Sequence, residues 1–200
     1  MRRAPRRDQS GVTIVEFALL SPVFALLLIG AFDVGHTLYM RSVVQGAVQK
    51  AARDAALETG TTASSRTAID TKVRAQIHNI AANAEVIITR RSYRTFSQAA
   101  AARAESYTDT NGNNRCDNGE PFVDSNGNGV RDLDGGSEGQ GGAKDSVLYT
   151  VRATYPRMFP MGRFLSLPND VTVSAATVLA NQPYGDQGSD TPMVRQCPLT

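Results

Sequence analysis

The sequence predicts a mixed α+β fold, with a long N-terminal transmembrane and stalk helix followed by a small antiparallel-sheet domain that contains a second helix. Three observations carry this prediction. The chain starts with an apolar stretch that continues as an amphipathic pattern, a later segment repeats isoleucine and valine at helical spacing, and three further segments alternate apolar and polar residues. Two hundred residues leave room for one modest domain and an anchor.

The first element is a candidate membrane span. Between Val12 and Phe32 the only charged residue is Glu16, and about 20 mostly apolar residues suffice to cross a bilayer. We therefore predict a transmembrane helix over residues 12–33. The preceding segment, residues 1–11, is a basic leader with four arginines, Arg2, Arg3, Arg6 and Arg7. Because positive flanks stay in the cytoplasm, the C-terminal part is expected to be periplasmic or extracellular.

A cleaved secretory signal is the main alternative for this segment, since it also starts basic and continues apolar. However, no small-x-small cleavage site follows the apolar run, and the helical pattern continues over residues 34–58. There Val44, Val48, Ala51 and Ala55 share one face, while Arg41, Gln45, Gln49 and Arg53 share another. The sequence thus predicts one continuous helix whose second part is an amphipathic stalk that stops near Gly60.

Residues 59–184 are predicted to form the exported α+β domain. A second helix is expected from the spacing of Ile69, Val73, Ile77 and Ile80, with Ser64 or Ser65 as its cap. Strands are predicted at Glu85 to Thr89, Val147 to Tyr155 and Val171 to Asn181, with the stalk or the second helix covering the sheet. The remaining tail, residues 185–200, is polar and interrupted by proline, and is predicted to be disordered.

The N-terminal segment resembles a known family. The matching features are Gly11, the run from Val15 to Ala18, Ser21-Pro22 within the span, and the helix end from Ala51 to Ala56. Together they are similar to the TadE-like family, whose members are assembly proteins of the tight-adherence (Flp) pilus. The resemblance covers about a quarter of the chain.

What the resemblance implies is a minor pilin or pseudopilin-like assembly component of a tight-adherence (Flp type IVb) pilus, held in the bacterial inner membrane. It implies cleavage by a prepilin peptidase after Gly11, so that Val12 becomes the N-terminus and Glu16 the fifth mature residue. Partners would be other pilus-assembly or pilin subunits, contacted through the N-terminal helix. An uncut anchor is the alternative.

Residues 109–138 form an insertion with a fifteen-residue repeat, in which DTNGN at Asp109 recurs as DSNGN at Asp124. Calcium loops place oxygen ligands at alternate positions, with a backbone carbonyl at the seventh. The first copy offers Asp109, Asn111, Asn113, the carbonyl of Arg115, Asp117 and Glu120; the second offers Asp124, Asn126, Asn128, the carbonyl of Val130 and Asp132. We therefore expect Ca²⁺ as a cofactor.

The second copy departs from the calcium pattern because Gly135 occupies its twelfth position. Only Asp134 or Glu138 lies close enough in sequence to supply a closing carboxylate. The insertion resembles the short DxNxNG calcium repeats of bacterial surface proteins, including dockerin-like loops. The alternative is a flexible loop that uses Asn and Gly for turns.

Composition argues against several function classes. A net charge of +2 with dispersed basic residues gives no nucleic-acid footprint, and two histidines, His36 and His78, supply no catalytic constellation. We therefore predict a non-enzymatic protein. The alternative function is an unprocessed, membrane-tethered calcium-binding surface module with an adhesive or interaction role. Cys116 and Cys197 are either one disulfide or two free thiols, and the sequence leaves both open.

Overall fold

The computed structural model of the protein describes residues 10–56, 62–101, 104–159, 168–181 and 192–198. The predicted leader up to residue 9 and residues 182–191 and 199–200 of the predicted C-terminal region lie outside this part. In chain order the elements are α1 (Ser10–Ala56), α2 (Ala63–His78), β1 (Glu85–Tyr93), α3 (Phe96–Ala100), β2 (Pro121–Asp124), β3 (Ser137–Glu138), β4 (Ser146–Pro156), β5 (Asp170–Ala180) and β6 (Met193–Gln196).

Anchor and stalk form one continuous helix, α1, as the sequence predicted. Its 47 residues span about 70 Å at 1.5 Å per residue, with Pro22 inside the helix. Within the part of the chain that the structure describes, α1 is the one helix that is long and apolar enough to cross a membrane. Large apolar side chains from Val12 to Phe32 are exposed, so this half of α1 is not part of the protein core.

The second half of α1 packs on the domain. The predicted apolar face is buried at Val44, Val48, Ala51 and Ala55, and the core extends down to Met40. The opposite face is exposed, as expected from its Arg and Gln residues. The apolar face packs mainly against β5, with further contacts to α2 and β4. The stalk therefore covers the sheet.

The predicted apolar face of the second helix is confirmed, whereas the predicted N-cap residue is not. Ile69, Val73 and Ile77 are buried. The helix starts at Ala63, and Thr62 is the N-cap: its backbone is extended and its side chain accepts from the Ser65 backbone N–H at 3.3 Å. The predicted serine caps were wrong because both residues already lie in the first helical turn, where the backbone can no longer be extended.

Four antiparallel strands form the main sheet, in the order β3-β1-β4-β5. The three predicted strands are confirmed, and each is longer than or close to its predicted length. Every second residue of β4, from Val147 to Tyr155, is buried against the helices. The fold is therefore two layers, with α1 and α2 on one face of the sheet and one core between the layers.

A polar cluster beside this core joins α2 to the sheet. Arg90 on β1 forms a two-pronged ion pair with Asp70 on α2, at 2.5 and 3.0 Å. The Tyr149 hydroxyl donates to Asp70 Oδ1 at 3.1 Å, and the Arg90 guanidinium lies 4.7 Å from the centre of the Tyr149 ring. Burial and the nearby Asp70 carboxylate raise the pKa of Tyr149. The tyrosine stays protonated and holds the two layers together.

The C-terminal tail differs from its prediction. Residues 192–198 are not disordered: β6 pairs antiparallel with β2, from Pro121 opposite Gln196 to Asp124 opposite Met193. All four residues of β6 are exposed, so the segment lacks the apolar alternation that marks a half-buried strand. Contacts to the insertion order this segment, and the spacing of apolar residues in the sequence does not predict such contacts.

Candidate functional site

The insertion folds into two loops on either side of β2, which we name the first loop (residues 109–117) and the second loop (residues 124–132). The first loop is built around Asp109. Its carboxylate accepts from the backbone N–H groups of Gly112 at 2.6 Å and Asn114 at 2.7 Å. One short acidic side chain thereby fixes the turn, because an Asx carboxylate competes well for nearby backbone donors.

The next predicted ligand positions lie along the same turn. Asn111 Oδ1 accepts from the Asn113 N–H at 3.0 Å, and Asn113 Oδ1 accepts from the Arg115 N–H at 2.8 Å. Both asparagine amides donate to Asp117 Oδ2, that of Asn111 at 2.8 Å. The loop therefore turns around the Asp117 carboxylate, which draws its two donors from the third and fifth positions.

Glu120 closes the first loop. Its Oε1 accepts from the backbone N–H and the hydroxyl of Thr110 at 2.8 and 2.9 Å, and its Oε2 accepts from the Asp117 N–H at 2.9 Å. The residue is buried. One carboxylate thus joins the second and ninth positions of the loop, and its role as a calcium ligand stays a prediction.

The second loop repeats these contacts fifteen residues later. Asp124 accepts from Gly127 at 2.7 Å and Gly129 at 2.9 Å. Asn126 Oδ1 accepts from the Asn128 N–H at 3.1 Å, and Asn128 Oδ1 accepts from the Val130 N–H at 2.7 Å. The side-chain amides of both asparagines donate to Asp132 Oδ2, at 2.9 Å from Asn126 and 2.6 Å from Asn128. The sequence repeat is therefore a repeat of geometry.

Left-handed backbone positions match as well. Gly112 and Gly127 have φ of 76° and 75°, and the next-but-one residues, Asn114 and Gly129, have φ of 61° and 80°. Glycine adopts this region without a Cβ penalty and asparagine tolerates it. The choice of Asn and Gly at these places follows from the turn geometry that both loops require.

One predicted ligand lies elsewhere. Asp134, the expected closing carboxylate of the second loop, forms an ion pair with Arg91 at 2.8 Å and accepts from the Tyr93 hydroxyl at 2.8 Å. Burial, followed by the Asp134 hydrogen bond, raises the pKa of Tyr93 to about 12. Asp134 therefore ties the loop to β1. The structure does not bring Asp134 to the second loop, because nearness in sequence does not fix the direction of a side chain.

Sequence reasoning missed Glu105, which contacts the second loop instead. Its Oε1 accepts from the Ser125 N–H at 2.6 Å and its Oε2 accepts from the Asp132 N–H at 3.0 Å. Glu105 is buried. A signal was available, since Glu105 precedes Glu120 by the same fifteen residues that separate the two loops.

The two loops differ in their surroundings. Asp124 is fully buried at its side chain and forms an ion pair with Arg195 of β6 at 2.6 Å. Among the described residues Asp109 has no such ion pair. The carboxylate at the first position of the second loop is therefore already neutralised by a protein cation, whereas that of the first loop is not.

A disulfide resolves the question that the sequence left open. Cys116 and Cys197 are bonded, with Cα atoms 5.8 Å apart and a separation of 81 positions in the sequence. Cys116 lies inside the first loop, and the Cys197 N–H donates to the Glu120 carbonyl at 2.8 Å. The bond therefore fastens the chain end to the first loop, in keeping with an oxidising compartment.

Hydrogen bonding sets the charge state of the first loop. The pKa of Asp109 is lowered, chiefly by the Asn114 N–H, and that of Asp117 by the Asn111 amide. The Asp117 and Thr110 N–H groups lower the pKa of Glu120. These carboxylates stay ionised well into mildly acidic conditions because the donors favour the charged form.

The loops offer oxygen ligands in a prepared backbone. Among the described residues, no three His, Cys, Asp or Glu side chains converge as a metal cluster. The structure therefore does not bring Asp109, Asp117 and Glu120 together as a three-carboxylate site. The other ligands of a calcium loop would be asparagine amides and backbone carbonyls. Chemically the arrangement offers oxygen donors of the kind that hard cations prefer.

The residues predicted for processing lie at the other end of the molecule. Gly11, Val12 and Glu16 are in the first turns of α1, and all three are exposed. A Cβ added at Gly11 would meet no atom within 4 Å. This end is therefore sterically open, and it makes no contact with the loops.

Comparison with known proteins bears on this end. The family model described as TadE-like protein matches residues 11–53. Residues 11–53 are therefore similar to the TadE-like family. No curated protein and no solved structure matches the chain significantly. The TadE-like segment lies wholly within α1 and includes Gly11, Val12 and Glu16, whereas the sheet and both loops lie outside it.

Proposed function

We propose that this protein is a minor pilin or pseudopilin-like assembly component of a tight-adherence (Flp) pilus system, with a structural rather than an enzymatic role. The observation that carries the proposal is the TadE-like match over residues 11–53, on a helix whose first half exposes its apolar side chains. Such a helix is suited to the inner membrane, with the sheet domain on the far side. It leaves the domain free to contact other subunits.

Glu16 gives this helix a specific assembly chemistry. A carboxylate within an apolar span costs about 2.5 to 3.5 kcal/mol at the bilayer centre and less near the interface. Cleavage after Gly11 would create an amino group on Val12. In our proposal, Glu16 of one subunit pairs with that amino group on a neighbour, so assembly neutralises two costly charges.

The proposal is tested by the intact mass and N-terminal sequence of the membrane-extracted protein, from cells with and without the prepilin peptidase. A start at Val12 that depends on the peptidase supports it. An intact leader in both strains would identify an uncut anchor. A start beyond Phe32 would identify a secretory signal and overturn the membrane assignment.

A matched pair of variants separates recognition from folding. Gly11→Leu and Gly30→Leu both place a bulky side chain on α1 where a Cβ meets no atom within 4 Å. We expect Gly11→Leu to stay uncut and Gly30→Leu to be cut normally. Loss of cleavage in both variants would indicate a general insertion defect and leave the role of Gly11 unsupported.

We infer calcium binding as a second function, favoured by the repeated loop geometry. Each loop holds an aspartate and two asparagines in the register of a calcium loop, with carboxylates that are held ionised in the first loop. A divalent cation would replace the asparagine amides as the partner of the Asp117 carboxylate. Extracellular calcium is about millimolar, so weak loops suffice. The calcium-bound domain would serve adhesion or subunit contacts.

Calcium titration of the detergent-solubilised full chain tests this second function. Binding should raise the unfolding midpoint, since a ligand at ten times its dissociation constant stabilises by about 1.4 kcal/mol. Asp109→Asn together with Asp117→Asn should abolish binding to the first loop. Equal stabilisation by magnesium at the same concentration, or no stabilisation by either ion, would count against calcium as the partner.

A further inference from the structure

The two loops belong to a larger repeat than the sequence motif indicates. Tyr107 and Phe122 are fifteen residues apart and form an antiparallel bridge with each other. The Thr108 N–H donates to the Pro121 carbonyl, and the Val123 N–H donates to the Ser106 carbonyl, both at 2.9 Å. Each of these two hydrogen bonds becomes the other when its donor and its acceptor are each shifted by fifteen residues, in opposite directions along the chain. The two halves are therefore related by a local twofold axis at the bridge.

The glutamates obey the same symmetry. The Glu120 N–H donates to the Asp117 carbonyl at 3.0 Å, and the Glu105 N–H donates to the Asp132 carbonyl at 2.9 Å. Their carboxylates also match, because Glu120 bridges the second and ninth positions of the first loop and Glu105 bridges those of the second. Backbone and side chain of Glu105 thus reproduce the contacts of Glu120.

We propose that Glu105 is the closing carboxylate of the second loop, so that the two halves exchange glutamates and form one reciprocal pair of calcium loops. The first half supplies Glu105 to the second loop, and the second half supplies Glu120 to the first. The inference rests on the calcium-binding function proposed above. It completes the second loop, which the sequence alone leaves without a twelfth-position ligand.

Gly135 provides an independent steric argument. It occupies the twelfth position of the second loop, where the first loop has Glu120. A Cβ at Gly135 would lie 2.9 Å from Glu105 Cγ and 3.4 Å from its Oε1. The space that a local closing side chain would need is therefore filled by Glu105. Glycine at this position follows from the exchange and does not mark a defective loop.

Arg195 makes the two loops unequal. It contacts the Asp124 carboxylate of the second loop, and a cation entering that loop competes with it for the same charge. The second loop therefore binds calcium more weakly than the first. This difference allows the two loops to be distinguished in a titration.

Calorimetric calcium titration of the detergent-solubilised full chain tests the proposal with Glu105→Gln, Glu120→Gln and a control, Glu138→Gln. Glu138 is exposed on β3 and was the other sequence-based candidate for closing the second loop. We expect two sites in the wild type and in the control. Glu105→Gln should lose the weaker site and Glu120→Gln the tighter one, each by tenfold or more in affinity.

The outcomes separate this inference from the function on which it rests. If Glu105→Gln still has two unchanged calcium sites, the role of Glu105 is overturned. The same holds if the wild type has one site and Glu105→Gln retains it. In both cases the protein still binds calcium. A wild type with no site would overturn both. The intact first site in Glu105→Gln serves as its folding control.

A measurement on the wild type covers the case in which Glu105→Gln does not fold. The carboxyl ¹³C signal of Glu105 should shift during the titration with the same midpoint as the Ser125 and Asp132 amides. A Glu105 signal that stays constant while those amides shift would overturn the proposal.

Discussion

At the residue scale, the repeat in sequence is a repeat of loop contacts, and the ligand roles assigned to its residues stay predictions. Asp109, Asp117 and Glu120 make the loop contacts that their positions in the repeat indicate. Asp134 contacts β1, whereas Glu105 contacts the second loop. Local turn geometry is determined by neighbours in sequence, whereas the closing contact depends on a residue that only the folded chain brings near.

Acid should weaken the first loop. The pKa values of Asp109, Asp117 and Glu120 are lowered in the folded chain. Such carboxylates stabilise the fold above their unfolded pKa values, about 4, and this contribution is lost as pH falls through the lowered values. We expect ¹³C-detected carboxyl titrations with midpoints below those of the same residues in the unfolded chain. Asp109→Asn should show a smaller loss of stability between pH 5 and pH 3; an equal loss would contradict the assignment.

At the element scale, helices and strands with a strong period of apolar residues were predicted. Short elements without such a period were not. The Val147 to Tyr155 alternation identified β4, and the Ile69 to Ile77 spacing identified α2, because each buries one face in the core. The short strands β2, β3 and β6 and the helix α3 were missed. They have two to five residues each. β3 is ordered by pairing with β1, and β2 and β6 are ordered by pairing with each other beside a disulfide that connects distant segments.

Removing the disulfide should release β6. The bond joins residues 81 positions apart, for which the chain-entropy model gives about 4.5 kcal/mol, and measured values are commonly about 2 to 4 kcal/mol. We expect Cys116→Ser with Cys197→Ser to lower the free energy of unfolding in urea by about this amount. Amide protection of β6 should be lost as well. Reductant should destabilise the wild type and leave the double variant unchanged; a similar effect on both would refute a role for the bond.

The core contact of α2 can be tested with a matched pair of isoleucines. Ile77 is fully buried beneath the stalk, whereas Ile87 on β1 is 47% exposed. Ile77→Ala should cost about 2 to 5 kcal/mol through lost burial and the cavity left behind. Ile87→Ala should cost about 0.5 kcal/mol. Urea unfolding monitored by circular dichroism gives both values, and equal losses would mean that α2 is not part of the cooperative core.

At the scale of the whole molecule, one helix serves two environments. The first half of α1 exposes apolar side chains, and its second half packs against the sheet and α2 as part of the domain core. Asp33 lies where the two halves meet. It is buried and forms an ion pair with Arg157, whose Nε donates to the Pro168 carbonyl at 2.9 Å. His36 adds an edge-on contact to the Tyr155 ring. These contacts fasten the β4–β5 connection to α1.

Breaking the Asp33–Arg157 pair should destabilise the domain. The side chains are 10% and 19% exposed, and removing one partner of a buried pair typically costs about 3 to 5 kcal/mol because a charge is left unpaired. Arg157→Gln should therefore cost about 3 kcal/mol in detergent-solubilised protein. Adding Asp33→Asn should restore part of this loss. Additive losses in the double variant would show that the two side chains are not coupled.

The sequence by itself determined the continuous helix, the three long strands and the duplicated loops, because each is a local pattern that repeats at the period of its own backbone. Tertiary structure decided three features that join distant residues. These are the disulfide between Cys116 and Cys197, the pairing of β6 with β2, and the exchange of Glu105 and Glu120 between loops. No local period encodes such contacts, since the partners meet only after the core has brought the segments together.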